Sequence, residues 1–277
     1  MPSRFMQPEP LIAFLPGSSA TLSRLRLIAP EGCRVVPFAN DVRLFEALSQ
    51  GLIMLTVVEA GGHSHASAIR VLRRTSEAFP HHPLLAWCDF PRLTTGQLLE
   101  VARAGVQEIV RQGSDEGRVA FARIMAAATQ RGAVPRIVEA VKDVIPLRFM
   151  PLLEFGLEHA NERLDRDEVA AVFGIARRTL QDRLMAAELP SPRRFLMWCR
   201  LLAAAALLEQ PGHTLDSVAG QLGFTDGPNL GNRLRQYTGH GSKHLRANGA
   251  LDSMIFAFKS AILASKRDAS VGTALLG

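Results

Sequence analysis

The chain contains few cysteines and few aromatic residues for its length. Its 277 residues include three cysteines, two tryptophans and one tyrosine. Cys33, Cys88 and Cys199 lie far apart, so the sequence favours neither a disulfide framework nor a zinc site. Each cysteine stands among apolar residues, and we therefore expect buried free thiols.

The sequence also lacks the motifs of several common enzyme classes. It has no G-x-S-x-G nucleophile turn, no Walker phosphate-binding loop and no G-x-G-x-x-G dinucleotide-binding loop. Histidines occur in the segments 61–65 and 81–82, but no further ligands stand at the fixed spacing that a metal site needs. We predict ordinary loop histidines, no metal, no cofactor and no enzyme activity.

The apolar run 201–208 is far too short to span a bilayer. The first ten residues lack the long apolar core and the cleavage signature of a signal peptide. We therefore expect a cytoplasmic protein with no membrane partner. The apolar fraction of 47% is enough for real hydrophobic cores, and a chain of this length suggests about two domains.

The first half of the chain alternates short apolar runs with helical patterns. Five strands are predicted at 11–15, 33–38, 52–58, 84–88 and 108–110. Helices are predicted at 19–27, 41–48, 65–79, 94–104 and 116–128. Continuous apolar strands indicate that both faces of the sheet are covered, as in a parallel sheet. The pattern therefore predicts a doubly wound, flavodoxin-like α/β domain over residues 1–130.

This pattern resembles a response-regulator receiver domain. A receiver needs acidic residues after its first strand, an aspartate ending the third, Ser or Thr after the fourth and Lys after the fifth. The matching positions here hold Phe14, Leu15 and Pro16, about Thr56 with Glu59 three residues later, Cys88 and Asp89, and Arg111. Without clustered carboxylates, little would bind the metal ion of phosphoryl transfer. We predict a degenerate receiver-like domain that serves for dimerisation or senses another signal.

Glycine and proline punctuation predicts a boundary after this domain. Arg131, Gly132 and Pro135 should break the preceding helix, so residues 131–147 are predicted as a linker with a short helix at 137–144. The second domain would span residues 148–246. Residues 247–277 would add a helix at 254–264 and a flexible tail from Asp268.

The segment 214–246 has the pattern of a helix-turn-helix. Thr214 can cap a first amphipathic helix, and Gly223 stands where a left-handed residue ends it. A second helix begins at Asp226 or Gly227, with Leu230, Leu234 and Tyr237 as its buried stripe. Its outward face carries groups that read base edges in the major groove, namely Asn229, Asn232, Arg233 and Gln236.

The same two-helix unit occurs earlier in the chain. Residues 167–175 match 216–224, and the second helices match after one inserted residue. Asp165 with Glu168 forms a variant capping box, and Val169, Ala170, Val172 and Phe173 should bury the first helix. The recognition helix, 176–186, would bury Leu180 and Leu184 and expose Arg177, Arg178, Gln181 and Asp182. Arg178 and Asp182 could instead pair with each other, four residues apart.

A buried helix at 192–209 should join the two units. Two reading heads on a rigid helix could enter major-groove segments about 34 Å apart. Arg193 and Arg194, near the start of this helix, are better placed for phosphates than for bases. Residues 177–246 hold ten Lys/Arg against five Asp/Glu, so the segment is basic, as phosphate binding requires.

The arrangement resembles the DNA-binding domain of the AraC/XylS family over about residues 147–246. The residues that carry the resemblance are Ala219, Gly223, Phe224, Leu230, Arg233, Tyr237, Thr238, Gly239, Leu245 and Arg246. The chain departs from the family pattern at Ala176, Gly227, Pro228, Gly231, Gly241 and Ser242. The resemblance implies an all-α domain with two helix-turn-helix units and a sequence-specific transcription regulator that binds double-stranded DNA. RNA polymerase and a second copy of the chain, bound through the N-terminal domain, are further candidate partners.

Two alternative functions stay open. One is a response regulator switched by phosphorylation, against which the missing acidic pocket argues. The other is a protein-interaction adaptor whose AraC-like domain no longer reads DNA. The departures at Gly227, Pro228 and Gly231 and the modest net charge of +6 would allow this.

Overall fold

The computed structural model describes residues 11–15, 17–51, 53–61, 65–162, 164–210 and 213–274. The described residues up to Gly132 form one compact unit, and nearly all of those from Ala133 onward form a second. No helix among the described residues is both long enough and apolar enough to cross a membrane.

The first unit is a five-stranded parallel sheet with helices on both faces. Its strands are β1 (Leu11–Leu15), β2 (Arg34–Pro37), β3 (Ile53–Ala60), β4 (Leu84–Cys88) and β5 (Glu108–Arg111). Its helices are α1 (Ser19–Ile28), α2 (Asp41–Ser49), α3 (His65–Ala78), α4 (Thr95–Ala102) and the start of α5 (Arg118–Val141), with a 3-10 helix at Phe90–Arg92. The strand order β2-β1-β3-β4-β5 is that of flavodoxin-like and receiver domains. The predicted α/β architecture is therefore confirmed.

Both faces of the sheet are buried, as the continuous apolar strands predict. All five residues of β4 are buried. One face packs Leu44, Leu72 and Val101 into a core, and the other packs Trp87 and Phe121. The burial of large apolar side chains on both faces supplies the main driving force for this unit.

The third strand is longer than the sequence pattern predicts. It pairs with β4 as far as Glu59 opposite Trp87 and Ala60 opposite Cys88. Thr56 lies opposite Leu84, the first residue of β4, and is therefore far from the carboxyl end of the strand. The match of Thr56 to the phosphoacceptor position of a receiver was therefore wrong by about three residues. Glu59 is the polar residue at the carboxyl end of β3.

The second unit is entirely helical. After a 3-10 helix at Leu147–Phe149 come α6 (Met150–Glu158), α7 (Arg166–Val172), α8 (Arg177–Ala186), α9 (Pro192–Glu209), α10 (Leu215–Gln221), α11 (Gly227–Thr238), α12 (Ser242–Ala247) and α13 (Ala250–Ala274). The predicted pair of helix-turn-helix units with a linker helix between them is confirmed as α7–α8, α9 and α10–α11.

Helix α5 does not break where glycine and proline predicted a linker. It runs without interruption through Arg131, Gly132 and Pro135 to Val141. A Cβ atom at position 132 would lie 3.0 Å from the backbone oxygen of His81, so the glycine permits a close approach. An internal proline costs about 3 kcal/mol. Burial of Val134, Ile137 and Val141 offsets that cost.

The C-terminal segment is a long helix rather than a short helix with a flexible tail. Helix α13 continues to Ala274, and the last three residues of the predicted tail lie outside the described part. Met254, Phe258 and Ile262 recur at four-residue spacing and are fully buried. Lys259 pairs with Asp143 at 2.8 Å, which ties α13 to the segment after α5. This apolar stripe lies within the predicted helix 254–264, and only the continuation of the helix to Ala274 was not predicted.

Candidate nucleic-acid interface

The first head comprises residues 165–186 and begins with the predicted capping box. Asp165 Oδ1 accepts hydrogen bonds from the backbone N–H groups of Asp167 at 2.7 Å and Glu168 at 2.9 Å. The Glu168 carboxylate accepts the N–H of Asp165 at 2.8 Å. The backbone hydrogen bonds, from Glu168 first, lower the pKa of Asp165. Gly174, with φ of +62°, makes the left-handed turn into α8.

Helix α8 presents its polar residues outward as predicted. Leu180 and Leu184 are buried, whereas the four predicted readers are exposed: Arg177, Arg178, Gln181 and Asp182. Burial of Val172 and Phe173 was predicted wrongly, since their exposed fractions are 61% and 36%. Helix α7 ends at Val172, and only its Val169 and Ala170 face the core.

The ion pairs of the first head are loose. Arg178 Nε stands 3.8 Å from Asp182 Oδ2, and the Arg178 side chain is 93% exposed. Arg177 Nη1 stands 3.7 Å from Asp167 Oδ2. Such exposed pairs contribute at most about 1 kcal/mol. The Arg178 guanidinium can therefore leave Asp182 for a guanine edge at little cost.

The second head comprises residues 214–239 and has the same construction. Thr214 Oγ1 accepts the N–H of Ser217 at 3.0 Å, and Gly223 turns the chain with φ of +68°. Asp226 Oδ1 caps α11 by accepting the N–H of Asn229 at 2.7 Å. Both recognition helices therefore begin from fixed turns.

The structure explains why glycine stands at position 227, where the chain departs from the family pattern. Its backbone N–H donates to Asp216 Oδ1 at 2.9 Å. A Cβ atom at position 227 would lie 2.4 Å from that oxygen and 3.0 Å from the backbone nitrogen of Asp216. Only glycine lets α10 and α11 approach this closely.

Helix α11 buries Leu230 and Leu234 and leaves Tyr237 half-buried, edge-on to Trp198 at 4.6 Å between ring centroids. Of its four predicted readers, Asn229, Asn232 and Gln236 are exposed. The fourth, Arg233, is half-buried. Arg233 Nη1 donates to Gln236 Oε1 at 3.1 Å. Two neighbouring readers of this helix are therefore already oriented by each other.

The linker helix α9 is largely buried within the second unit. Most of its residues are buried, and a Cβ atom at Gly156 of α6 would lie 2.9 Å from Cys199 Sγ. Trp198 contacts Phe258 of α13 at 5.2 Å between ring centroids. Cys199 is a buried free thiol with its pKa raised by burial to about 12. This packing holds α9, the helix between the two heads, against α6 and α13.

Two open cavities follow the exposed face of α9. One, of about 460 Å³, is lined by Arg193, Arg194, Arg233 and Tyr237 among others. The second, of about 580 Å³, is lined by Arg166, Arg193, Arg200 and Arg233 among others. Arg166 and Arg200 were not among the residues predicted from the sequence to bind DNA. Arg200 could have been found, because it stands seven residues after Arg193 and hence on the same face of the helix.

The carboxylates at the carboxyl edge of the first unit each have a partner. Glu59 accepts the backbone N–H of Ser18 at 2.7 Å and the Thr21 hydroxyl at 2.9 Å. Asp89 pairs with Arg92 at 3.1 Å. The Arg111 guanidinium hydrogen bonds to Asp115 and lowers the pKa of that carboxyl. Within the described ranges, no group of three metal-ligating side chains occurs.

His82, His65, Cys88 and Cys33 lie apart from one another in this unit and have local partners or apolar surroundings. His82 Nε2 hydrogen bonds to Thr56 Oγ1 at 2.9 Å, and burial lowers the pKa of His82 to about 4. His65 Nε2 contacts Glu100 at 3.0 Å, while residues 62–64 of the predicted histidine loop lie outside the described part. Cys88 is buried with its pKa raised to about 12, and Cys33 is half-buried.

Comparison with known families identifies the second unit. Residues 169–248 match the family model described as a helix-turn-helix domain. This span holds α8 and α11 complete. The second unit therefore carries a DNA-binding helix-turn-helix domain of the AraC/XylS type, and the chain is a DNA-binding transcription regulator with a receiver-like domain. No curated protein matches the chain.

Several solved structures show distant similarity over most of the chain. Full-length FixJ from B. japonicum is 14% identical, with 69% of this chain and 96% of that chain covered and a TM-score of 0.34. The RcsB response regulator of Salmonella typhimurium is 15% identical, with 69% and 98% covered and a TM-score of 0.36. The receiver-like fold of the first unit rests on its strand order, β2-β1-β3-β4-β5.

Proposed function

We propose that this regulator, working in the cytoplasm, reads a bipartite site in double-stranded DNA with its two heads. Helices α8 and α11 would enter adjacent major-groove segments about 34 Å apart on one face of the duplex. The observation that supports this most is the exposure of polar readers on both helices while their leucines are buried. Each helix is also held by a left-handed glycine turn.

The chemistry of the exposed side chains suggests what each reads. Arg178 would contact guanine, Gln181 adenine and Asp182 the amino group of cytosine. On α11, amide side chains suit adenine, and these are Asn229, Asn232 and Gln236. Arg177, Arg193 and Arg194 would hold the backbone and fix the register of the heads.

For the receiver-like domain we propose a role in homodimerisation or signal sensing without phosphorylation. The polar residue at the end of β3 is Glu59, and its carboxylate is already bound by Ser18 and Thr21. RNA polymerase is the further partner that we propose for the DNA-bound protein. A response regulator switched by phosphorylation is less consistent with the partnered carboxylates.

The base-reading role is tested by Arg178→Ala. One bidentate contact to guanine is worth about 1–3 kcal/mol of discrimination, so affinity for the selected site should fall at least several-fold. Affinity for an unrelated duplex should fall much less. The matched control is Arg70→Ala, which removes an equal charge at an exposed position of α3 in the first unit. Equal losses on both duplexes, measured by fluorescence anisotropy, would contradict base reading by Arg178.

A further inference from the structure

The two cavities along α9 form one surface, which we call the arginine cleft. Its charged members are Arg166, Arg193, Arg194, Arg200, Arg233 and a single carboxylate, Asp165. Arg193 and Arg233 line both cavities, so the cavities share a wall. A concave surface lined by one sign of charge concentrates oppositely charged ligands.

Several of these guanidinium groups are held in place by the protein. Arg194 lies over the ring of Tyr237 at 6.0 Å, and Arg200 lies over Phe224 at 5.8 Å. Arg200 Nη2 also donates to the backbone oxygen of Glu162 at 3.0 Å. Because these side chains are ordered before any ligand arrives, binding loses less conformational entropy.

The cleft contains one carboxylate, Asp165, against five arginines. Across the described ranges, Arg166, Arg193 and Arg194 take part in no ion pair, whereas Arg136 of α5 pairs with both Glu209 and Asp252. Helix α9 begins at Pro192 beside the first cavity. Its first-turn N–H groups and helix dipole add to the positive potential. The ligand that this chemistry favours is an anion with several oxygens.

We propose that the arginine cleft binds the backbone phosphates of the duplex segment between the two blocks read by the heads. This inference rests on the proposed two-headed docking. Heads in adjacent major-groove segments leave the intervening minor groove and its two backbones opposite the linker helix. The planar forks of arginine match phosphate oxygens in pairs. Arg193, shared by both cavities, is the central contact.

The first test is the salt dependence of binding to the duplex selected from a random pool. Each lost phosphate contact should make the slope of log K against log[salt] shallower by about 0.9. We expect this change for Arg193→Ala, a slope close to wild type for Arg193→Lys, and no change for Arg70→Ala. A slope for Arg193→Ala equal to that of Arg70→Ala would overturn the proposal.

The second test locates the contact on the DNA. Neutral methylphosphonates replace single phosphates in the spacer between the two blocks. Wild type should lose affinity several-fold at one or two positions, and Arg193→Ala should lose no more there. If all spacer substitutions leave wild-type affinity unchanged while the blocks remain essential, the cleft proposal is overturned and two-headed reading stands. Failure of the full chain to bind any duplex at low salt would overturn both.

Discussion

At the scale of single residues, periodicity predicts which side chains of the recognition helices face outward. It does not predict which distant residues a polar side chain contacts. The spacing of Leu180 and Leu184 fixes which side of α8 faces water. Nothing in the local pattern shows that Glu59 meets Ser18 and Thr21, because those residues lie about forty positions away and meet only through the sheet. Tertiary contacts of this kind set the chemistry of the receiver-like edge.

Gly227 is an instance in which a departure from a family pattern has a packing reason. Gly227→Ala would force its Cβ against Asp216, and overpacking of this kind costs about 1–3 kcal/mol. Gly220 is the matched control, since a Cβ there meets nothing within 4 Å. Gly220→Ala should stabilise by up to about 1 kcal/mol through helix propensity. Urea unfolding, followed by Trp198 fluorescence in a Trp87→Phe background, separates the two variants. Destabilisation of similar size in both would refute the contact.

His82 should make the first unit less stable in mild acid. Its pKa is about 4 in the folded protein and about 6.5 when unfolded. Below pH 6.5 the unfolded chain takes up the proton first, so stability is lost as the pH falls from 6.5 to 4. The total loss is about 3 kcal/mol. His82→Gln should remove this component.

The measurement is urea unfolding followed by Trp87 fluorescence in a Trp198→Phe background, at pH 7.5 and pH 4.5. Carboxylates also titrate in this range, so the comparison is between wild type and His82→Gln rather than between absolute stabilities. Equal losses of stability in the two proteins would show that the His82 ring is not held neutral.

At the scale of elements, strands and helices with strong apolar patterns were predictable. β1 and β4 have the predicted limits, and α7, α8, α10 and α11 lie where the repeated motif indicated. The errors occurred where tertiary burial overrides a local signal. Pro135 does not end α5, because Ile137 and Val141 are buried beyond it. The end of α13 was likewise predicted too early, since the helix continues through the charged residues after 264 to Ala274.

Helix α13 should be a structural part of the DNA-binding unit, although the family match ends at residue 248. Phe258 is fully buried against Trp198, whereas Phe256, two residues earlier, is 74% exposed. Phe258→Ala should cost about 3–5 kcal/mol in the second unit. Phe256→Ala should change its stability by less than about 0.5 kcal/mol.

Unfolding of the second unit is followed by Trp198 fluorescence in a Trp87→Phe background, and duplex binding is measured in parallel. Both variants are Phe→Ala substitutions on the same helix, and neither changes the net charge of the chain. If Phe258→Ala is no more destabilising than Phe256→Ala, α13 does not form part of that core.

At the scale of the whole molecule, the chain combines a receiver-like unit, whose edge carboxylates are partnered, with a DNA-binding unit that exposes arginines on its recognition helices and along α9. Composition alone gave only a mild positive charge. The structure places that charge on one face of α9 and on two recognition helices. The central claim is that this unit reads two blocks of sequence at once.

The most direct test is selection of binding sites from a random duplex pool by the full chain, run beside Arg178→Ala and Asn232→Ala. Wild type should enrich a site with two blocks about one helical turn apart. Arg178→Ala should relax one block, and Asn232→Ala, which changes an exposed reader of α11 outside the arginine cleft, the other. Enrichment of a single block by wild type would contradict reading by two heads. No enrichment at all would favour an adaptor that does not read DNA.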